Sequence, residues 1–181
     1  MSRLFYRRHF AWLAAFSILL VLTNRLLLAA GISLSFAMYG ALHALALALT
    51  LRVRQPVRRM VVFVGVAAAL SVAALQAGLA ALKLFGMLLA GNSGLYAALG
   101  FAAMLGAMSY GVSIRQFRMY ELPMSELALI SVGCVAASCA AFFTLVHFHA
   151  LGRWWLAVLW WCAFSIGLWN CDRRRRGKAQ P

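Results

Sequence analysis

Acidic residues are nearly missing from this 181-residue chain. It has only Glu121, Glu126 and Asp172, against 17 lysines and arginines. None of the three lies inside a long apolar run, whereas carriers driven by protons or sodium normally use a carboxylate within the membrane. The sequence therefore disfavours an ion-coupled carrier, although backbone carbonyls can also bind sodium.

Paired cysteines and the common cofactor motifs are also missing. The four cysteines form no Cys-x-x-Cys pair, and each lies in or beside an apolar run. No His-Glu-x-x-His, Walker or dinucleotide-binding pattern occurs. We therefore expect no disulfide framework, no metal site and no cofactor, and we expect the cysteines to serve as small apolar side chains.

Charged residues make up only 11% of the chain and hydrophobic residues 65%, with a mean hydropathy of +0.88. A soluble domain has roughly 25% charged and about 45–50% apolar residues. Because a soluble core of this size cannot hide so much apolar surface, we expect lipid to be the solvent. The net charge of +14 does not indicate a nucleic-acid partner, since the cations cluster in short gaps between apolar runs.

Six apolar runs have the length of about 20 residues that a helix needs to cross the hydrocarbon core. No segment alternates with the period of two that a membrane barrel requires. The sequence thus predicts an all-α, polytopic bundle of six transmembrane helices in one domain, residues 1–172, followed by a basic tail, residues 173–181. The predicted spans cover residues 10–30, 32–51, 61–82, 95–114, 127–146 and 151–171.

The cations alternate between the two sides of these spans. Fourteen lie before span 1 or after spans 2, 4 and 6, and the other three are Arg25, Lys83 and Arg153. Cytoplasmic segments carry the excess of lysine and arginine, so both termini are predicted to be cytoplasmic in a multi-pass protein of the cell inner (plasma) membrane. This basic face also predicts contact with anionic lipids.

The fourth span and the segment before it have unusual compositions. Residues 83–94 are too short to span and too apolar for an ordinary loop, so we expect them to lie in the interface or dip into the membrane. Span 4 has small residues about four apart, which lets helices approach closely. It is therefore predicted to be the most buried helix. The small residues are Gly100, Ala103, Gly106, Ala107 and Gly111.

A serine and a histidine are predicted to lie at the outer ends of two spans. Ser93 lies in Gly-Asn-Ser-Gly before span 4, and His149 lies three residues before Gly152 at span 6. A serine nucleophile needs a base within hydrogen-bond reach, and main-chain N–H groups beside it can stabilise an oxyanion. The alternative is a turn in which Ser93 or Asn92 caps helix 4.

These motifs resemble the rhomboid family of intramembrane serine proteases, which have a six-helix core. The resemblance implies that Ser93 is the nucleophile and His149 the general base. It also implies an oxyanion role for His43 on span 2. The chain departs from the family pattern at Leu47, where an asparagine is usual, and in lacking a long first outer loop.

Two hypotheses for function follow from the sequence. The first is a non-enzymatic component of a membrane assembly: a subunit, a scaffold, or a protein that handles solutes or lipids, acting with copies of itself or another membrane subunit. It fits the short loops and the lack of acids in the spans. The alternative is a rhomboid-like serine protease that uses Ser93 and His149.

The predicted orientation can be tested with fusions. A fluorescent reporter that folds only in the cytoplasm, joined after Pro181, should be active because an even number of spans returns the chain to its starting side. The same reporter joined after Leu88 should be inactive. Activity of the Leu88 fusion together with a silent Pro181 fusion would contradict the orientation.

Overall fold

Six helices make up the described part of the chain. The computed structural model describes residues 3–50, 56–89, 92–147 and 154–178. Within these ranges it contains helices and no strand, which confirms the all-helical prediction. The helices are α1 (Arg3–Ala30), α2 (Ile32–Thr50), α3 (Val57–Leu88), α4 (Ser93–Gln116), α5 (Met124–His147) and α6 (Trp154–Lys178).

Helices α2–α6 are long and apolar enough to cross a membrane, which agrees with a helical membrane bundle. Helix α1 is not among these five; it begins at Arg3, ahead of its apolar run. A sixth span formed by α1, with both termini in the cytoplasm, stays a prediction.

Proline and glycine mark several of the helix boundaries. Pro56 and Pro123 directly precede α3 and α5, where a residue without an N–H removes no helical hydrogen bond. Gly31 alone separates α1 from α2 and has φ +98, a conformation that side-chain-bearing residues rarely adopt. This single residue turns the chain back on itself, so α1 and α2 pack side by side.

Several helices extend beyond the predicted spans, most notably at the ends of α3 and α6. Residues 83–88 continue α3 as regular helix, and their position in the interface stays a prediction. Leucine, lysine and methionine favour helix, and the single Gly86 costs only about 1 kcal/mol. Helix α6 continues past the predicted end at residue 171 to Lys178, so the basic tail begins as helix. Cations are favourable at a helix C-terminus because of the helix dipole.

Each helix packs against its neighbours in the chain, and α1 also packs against α6. Helices α2–α6 therefore surround a central space. Helices α2 and α6 meet each other only lightly, and α1 lies against both. We call this line of weak contact the α2–α6 seam. Helix α1 covers the seam through Leu13, Leu20 and Leu27, which are buried.

One end of the bundle gathers most of the described cations. There Tyr6 donates a hydrogen bond to the Leu168 carbonyl at 3.4 Å, and Arg174 pairs with Glu126 at 3.5 Å. These contacts bring the start of α1, the start of α5 and the end of α6 together. We call this the basic end. Its described cations are Arg7, Arg8, Arg58, Arg59, Arg115, Arg118, Arg173, Arg174 and Arg175.

The main core lies toward the basic end and draws on all of α2–α6. Phe63, Ile114, Leu127 and Phe164 are fully buried in it. The most buried of the five apolar spans is α2, with 44% of its 18-residue apolar window inside, against 39% for α4. The prediction that helix 4 is the most buried is therefore wrong. Helix α2 packs against α1, α3 and α6, whereas α4 packs mainly against its two chain neighbours.

Gly40 sets the distance between α2 and α3. A Cβ atom at this position would meet the side chain of Ser71 and lie 2.5 Å from the Ala67 carbonyl oxygen. The backbone oxygen cannot rotate away. The two helices therefore approach more closely here than any larger residue allows.

Replacing Gly40 with alanine should destabilise the bundle by about 1–3 kcal/mol, because overpacking pushes α2 from α3. The matched control is Gly65→Ala on α3, where a Cβ would meet nothing within 4 Å. Unfolding of both variants by increasing SDS in mild detergent measures the difference. Equal stabilities would show that the close α2–α3 contact does not depend on Gly40.

Candidate binding cavity

A cavity of about 120 Å³ lies within the ring formed by α2–α6. Its walls are almost entirely apolar, and no lysine, arginine, aspartate or glutamate is among the described residues that line it. The side chains with polar groups include His43, Tyr110, Ser71 and Ser138. Large apolar walls are formed by Phe36, Leu70, Leu75, Leu99, Leu156, Trp160 and Trp161.

The cavity runs lengthwise along the helices. On α4 its walls extend from Leu99 to Tyr110, which is about 16 Å at 1.5 Å per residue. On α2 they extend from Phe36 to His43. Tyr110 and His43 are the last wall residues toward the basic end. Beyond them the main core fills the ring.

Small residues make the space. Ala102, Ala103 and Gly106 of α4 and Ala74 of α3 line the cavity, and larger side chains there would fill it. A Cβ on Gly106 would lie 3.5 Å from the Ala74 Cβ, an ordinary contact. The small residues of α4 thus leave room in the ring as well as allowing helices to approach.

His43 ends the cavity inside a shell of aromatic rings. It is 1% exposed. Its ring centroid lies 5.1 Å from that of Tyr110, 5.6 Å from Trp160 and 5.7 Å from Phe164. The Trp161 ring stacks on it at 6.0 Å. In so apolar a shell, each polar atom of His43 requires a hydrogen-bond partner to offset its lost hydration.

One such partner is Ser165, which bridges two histidines. Its Oγ lies 2.9 Å from His9 Nε2 and 3.3 Å from His43 Nε2. His9 belongs to α1, His43 to α2 and Ser165 to α6, so the three side chains join three helices at the α2–α6 seam. All three are buried, with exposures of 1% or less. We call them the seam triad.

The hydroxyl of Ser165 has one proton and two lone pairs, so it donates to at most one of the two histidines. Each histidine donates or accepts at Nε2 according to its tautomer.

Two buried polar atoms at this end of the cavity have no partner in the described part of the chain. They are His43 Nδ1 and the hydroxyl oxygen of Tyr110. Their rings are neighbours, and both residues line the cavity. An unpaired buried group costs about 1–3 kcal/mol. Both atoms are fully buried, so the open part of the cavity does not reach either of them.

Two of the three predicted catalytic residues, Ser93 and His43, lie in the described part of the chain. Ser93 is the first residue of α4 and is exposed. Tyr110, which neighbours His43, lies 17 residues further along α4, about 26 Å at 1.5 Å per residue. His43 is thus far from Ser93. His149 lies outside the described residues, so the Ser93–His149 pair stays a prediction.

The alternative explanation of the Gly-Asn-Ser-Gly segment was helix capping. Asn92 occupies the N-cap position of α4, but its side chain makes no capping hydrogen bond. Its backbone carbonyl accepts from Leu95 and Tyr96. The start of α4 is therefore held by main-chain bonds, with Gly94 buried closely against Phe85.

Sequence reasoning missed His9 because it lies just before the predicted start of span 1. The heptad spacing of buried residues in α1 would have indicated it. Tyr6, Leu13, Leu20 and Leu27 are seven residues apart, and all are buried. His9 follows Tyr6 by three residues and so falls on the same stripe of a heptad pattern. This spacing predicts a buried histidine on α1.

Replacing Ser165 with alanine should lower stability by about 1–3 kcal/mol, because it leaves nitrogens of two buried imidazoles without this partner. Ser131→Ala is the matched control. Ser131 is equally buried, but its hydroxyl donates to the Leu127 carbonyl within α5. SDS unfolding in mild detergent compares the two variants. If Ser131→Ala costs as much as Ser165→Ala, the seam triad has no special role in stability.

Comparison with known protein families, curated proteins and solved structures found no match to this chain. The cavity and the residues at its basic end are therefore the features on which a function is proposed.

Proposed function

We propose that this protein is a non-enzymatic membrane component that holds a small apolar molecule, or part of a lipid, in the cavity among α2–α6. This is the solute- or lipid-handling form of the first hypothesis from the sequence. The cavity itself carries the proposal. It is a largely apolar space with a few polar groups at one end, as in most small-molecule sites.

The size of the cavity suits a compact ligand. A space of about 150 Å³ lined by apolar side chains is enough to hold benzene. The cavity here is of similar size, at about 120 Å³. Its lining disfavours a charged ligand, since none of the described wall residues is ionised and a bare charge in such surroundings is strongly unfavourable.

The stability of the walls supports a preformed site. The seam triad ties α1, α2 and α6, and the close contact at Gly40 ties α2 to α3. A cavity that exists before binding costs little to reorganise when a ligand enters. These contacts lie on or next to the walls, so they hold the space open in the absence of a ligand.

We further propose that the basic end contacts anionic lipids. Arg58, Arg59 and Arg118 line an open groove beside Gln116 and Phe117. Cations near the membrane surface attract anionic headgroups by about 1 kcal/mol each. Copies of this chain, or another membrane subunit, remain proposed partners on the basis of its small size.

Filling the cavity should block binding. A small apolar diazirine close to benzene in size, such as 3,3-pentamethylene diazirine, labels the residues that it touches when it is irradiated. In nanodiscs it should label cavity residues of α4 and α6, and Gly106→Leu should lower that labelling at least about fivefold, the equivalent of roughly 1 kcal/mol. Mass spectrometry of digested protein measures the label at each position.

The matched control is Gly133→Leu. Gly133 lies on the exposed face of α5, where a Cβ meets nothing within 4 Å. This variant should keep the cavity labelling of the unchanged protein. Exposed positions such as Leu129 and Val132 should be labelled equally in all three proteins, which corrects for the amount of probe in the bilayer. If cavity residues are labelled equally in Gly106→Leu and in the unchanged protein, the proposed function is contradicted.

A further inference from the structure

We propose that the groove between the start of α3 and the end of α4 is a defined site for the phosphate group of one anionic phospholipid. This inference rests on the proposed contact of the basic end with anionic lipids, and it adds where that contact is made and through which chemical group. Three arginines from two helix ends line this one groove. They are Arg58, Arg59 and Arg118.

The walls of the groove come from two parts of the chain that are distant in sequence and packed together in the fold. Helices α3 and α4 pack along each other. At the basic end the rings of Phe63 and Phe117 meet edge to face, with centroids 5.7 Å apart, and Phe63 is fully buried. This packing fixes the backbone positions from which the arginines extend. The described residues that line the groove are Pro56, Arg58, Arg59 and Val62 of α3, and Gln116, Phe117 and Arg118 at and just after the end of α4.

A tight turn after α4 places Arg118 beside the start of α3. The Arg118 N–H donates to the Arg115 carbonyl and the Met119 N–H to the Ile114 carbonyl, each at 2.9 Å, which is the hydrogen-bond pattern of a Schellman motif. Arg118 has φ +52, the left-handed conformation that this motif requires after the last helical turn. Ile114 and Met119 are buried and anchor the turn. Arg118 is thus held at the groove independently of the two arginines of α3.

The charge of the groove is of one sign. None of the described residues that line it is acidic, and the first turn of α3 contains no acidic residue. Pro56 gives the start of α3 no side-chain capping bond, and the first N–H groups of a helix have no acceptor within it. The positive end of the α3 dipole therefore adds to the arginine charges. A phosphate suits this place, because arginine binds its oxygens through two parallel N–H bonds.

The apolar side of the groove indicates a lipid instead of a soluble anion. Val62 lines the groove one turn further along α3 than Arg58 and is 47% exposed. Val61 beside it is also exposed, so the groove is continuous with the apolar outer surface of α3. A phospholipid can place its phosphate at the arginines and its acyl chains along this surface. A zwitterionic headgroup fits less well, since its ammonium group would meet three arginines and no described carboxylate.

Native mass spectrometry of the full-length protein in a non-ionic detergent counts the bound lipids and tests the inference. The probe is dioleoylphosphatidylglycerol, and we expect one molecule to bind more tightly than those that follow. Replacing two arginines of the groove, Arg58→Gln with Arg59→Gln, should weaken binding of the first lipid about thirtyfold, which is about fivefold for each cation removed.

The matched control is Arg7→Gln with Arg8→Gln. These two arginines are also adjacent on a helix, exposed and at the basic end, but they are not among the residues that line the groove. The control therefore removes the same charge from the same end of the bundle. It should change the affinity for the first lipid less than about threefold, because salt screens exposed charges outside the site.

A second pair of variants tests the contribution of α4. Arg118→Gln should weaken binding of the first lipid about fivefold. Arg115→Gln changes an exposed arginine one turn earlier, outside the groove, and should leave the affinity nearly unchanged. Each variant keeps a long polar side chain at an exposed position, so folding should be preserved, and SDS unfolding checks this. Equal effects of the two changes would overturn the assignment of Arg118 to the site.

Two further probes distinguish the source of the phosphate. Dioleoylphosphatidylcholine has the same phosphate and acyl chains with a compensating ammonium group, and it should bind at least about tenfold more weakly. Inorganic phosphate lacks the chains, and at a concentration equal to that of the lipid it should not displace phosphatidylglycerol. If it does, the groove binds free phosphate and the lipid assignment is overturned.

The outcomes separate this inference from the proposal on which it rests. If the Arg7 and Arg8 changes weaken binding as much as the Arg58 and Arg59 changes, the basic end attracts anionic lipids without a defined site. The inference is then overturned, while the contact with anionic lipids stands. If phosphatidylglycerol and phosphatidylcholine bind the unchanged protein equally well, both fail. The cavity is tested separately by its labelling, which does not depend on these arginines.

Discussion

The hydroxyl of Ser165 has one proton, and two imidazoles from different helices lie within hydrogen-bond distance of it. In water such an arrangement would add little, because solvent satisfies each nitrogen. In an apolar bundle, a polar atom without a partner is costly, so the three side chains hold α1, α2 and α6 in register. The position of α1 over the α2–α6 seam depends on this contact.

The cavity follows from a balance between small and large residues. Gly40 and Gly78 draw α2, α3 and α4 together, since a Cβ on either would collide with the neighbouring helix. The same helices place the small residues Ala74, Ala103 and Gly106 on the cavity wall, and these side chains are too short to fill the space within the ring. Toward the basic end, Phe63, Ile114 and Phe164 fill it completely. The ring is thus packed solid in one half and left open in the other.

The sequence predicted most of the fold because the lipid environment imposes simple rules. Five of the predicted spans correspond to helices that are long and apolar enough to cross a membrane. The predicted break between the first two spans, at Gly31, is also where α1 ends and α2 begins. Hydropathy cannot show where a helix continues past the apolar run, so the extensions of α3 to Leu88 and of α6 to Lys178 were missed. It also cannot show which helix is most enclosed, since that depends on how many neighbours each one has.

The candidate site was harder to predict than the fold. A single buried histidine has no local motif, and the contacts of His43 come from residues up to 122 positions away in the chain. The Gly-Asn-Ser-Gly segment resembles a known motif, but it lies at the start of α4. The cavity walls on α4 begin further along the helix, at Leu99. His9 was recoverable from the heptad spacing of α1. The seam triad was not, because pairing His9 with Ser165 requires knowing that the first and last helices are neighbours.

The length of α3 has a consequence for how the protein meets the bilayer. Its 32 residues extend about 48 Å, while the hydrocarbon core is about 30 Å thick. Even a tilt of about 40°, near the upper limit for membrane helices, leaves roughly 37 Å along the bilayer normal. At least one turn of α3 must therefore stand among the lipid headgroups. The final turns of α3 carry an exposed apolar patch next to Lys83, made of Leu84, Met87 and Leu88. This patch would insert at the level of the headgroups and fix the depth of the bundle in the bilayer.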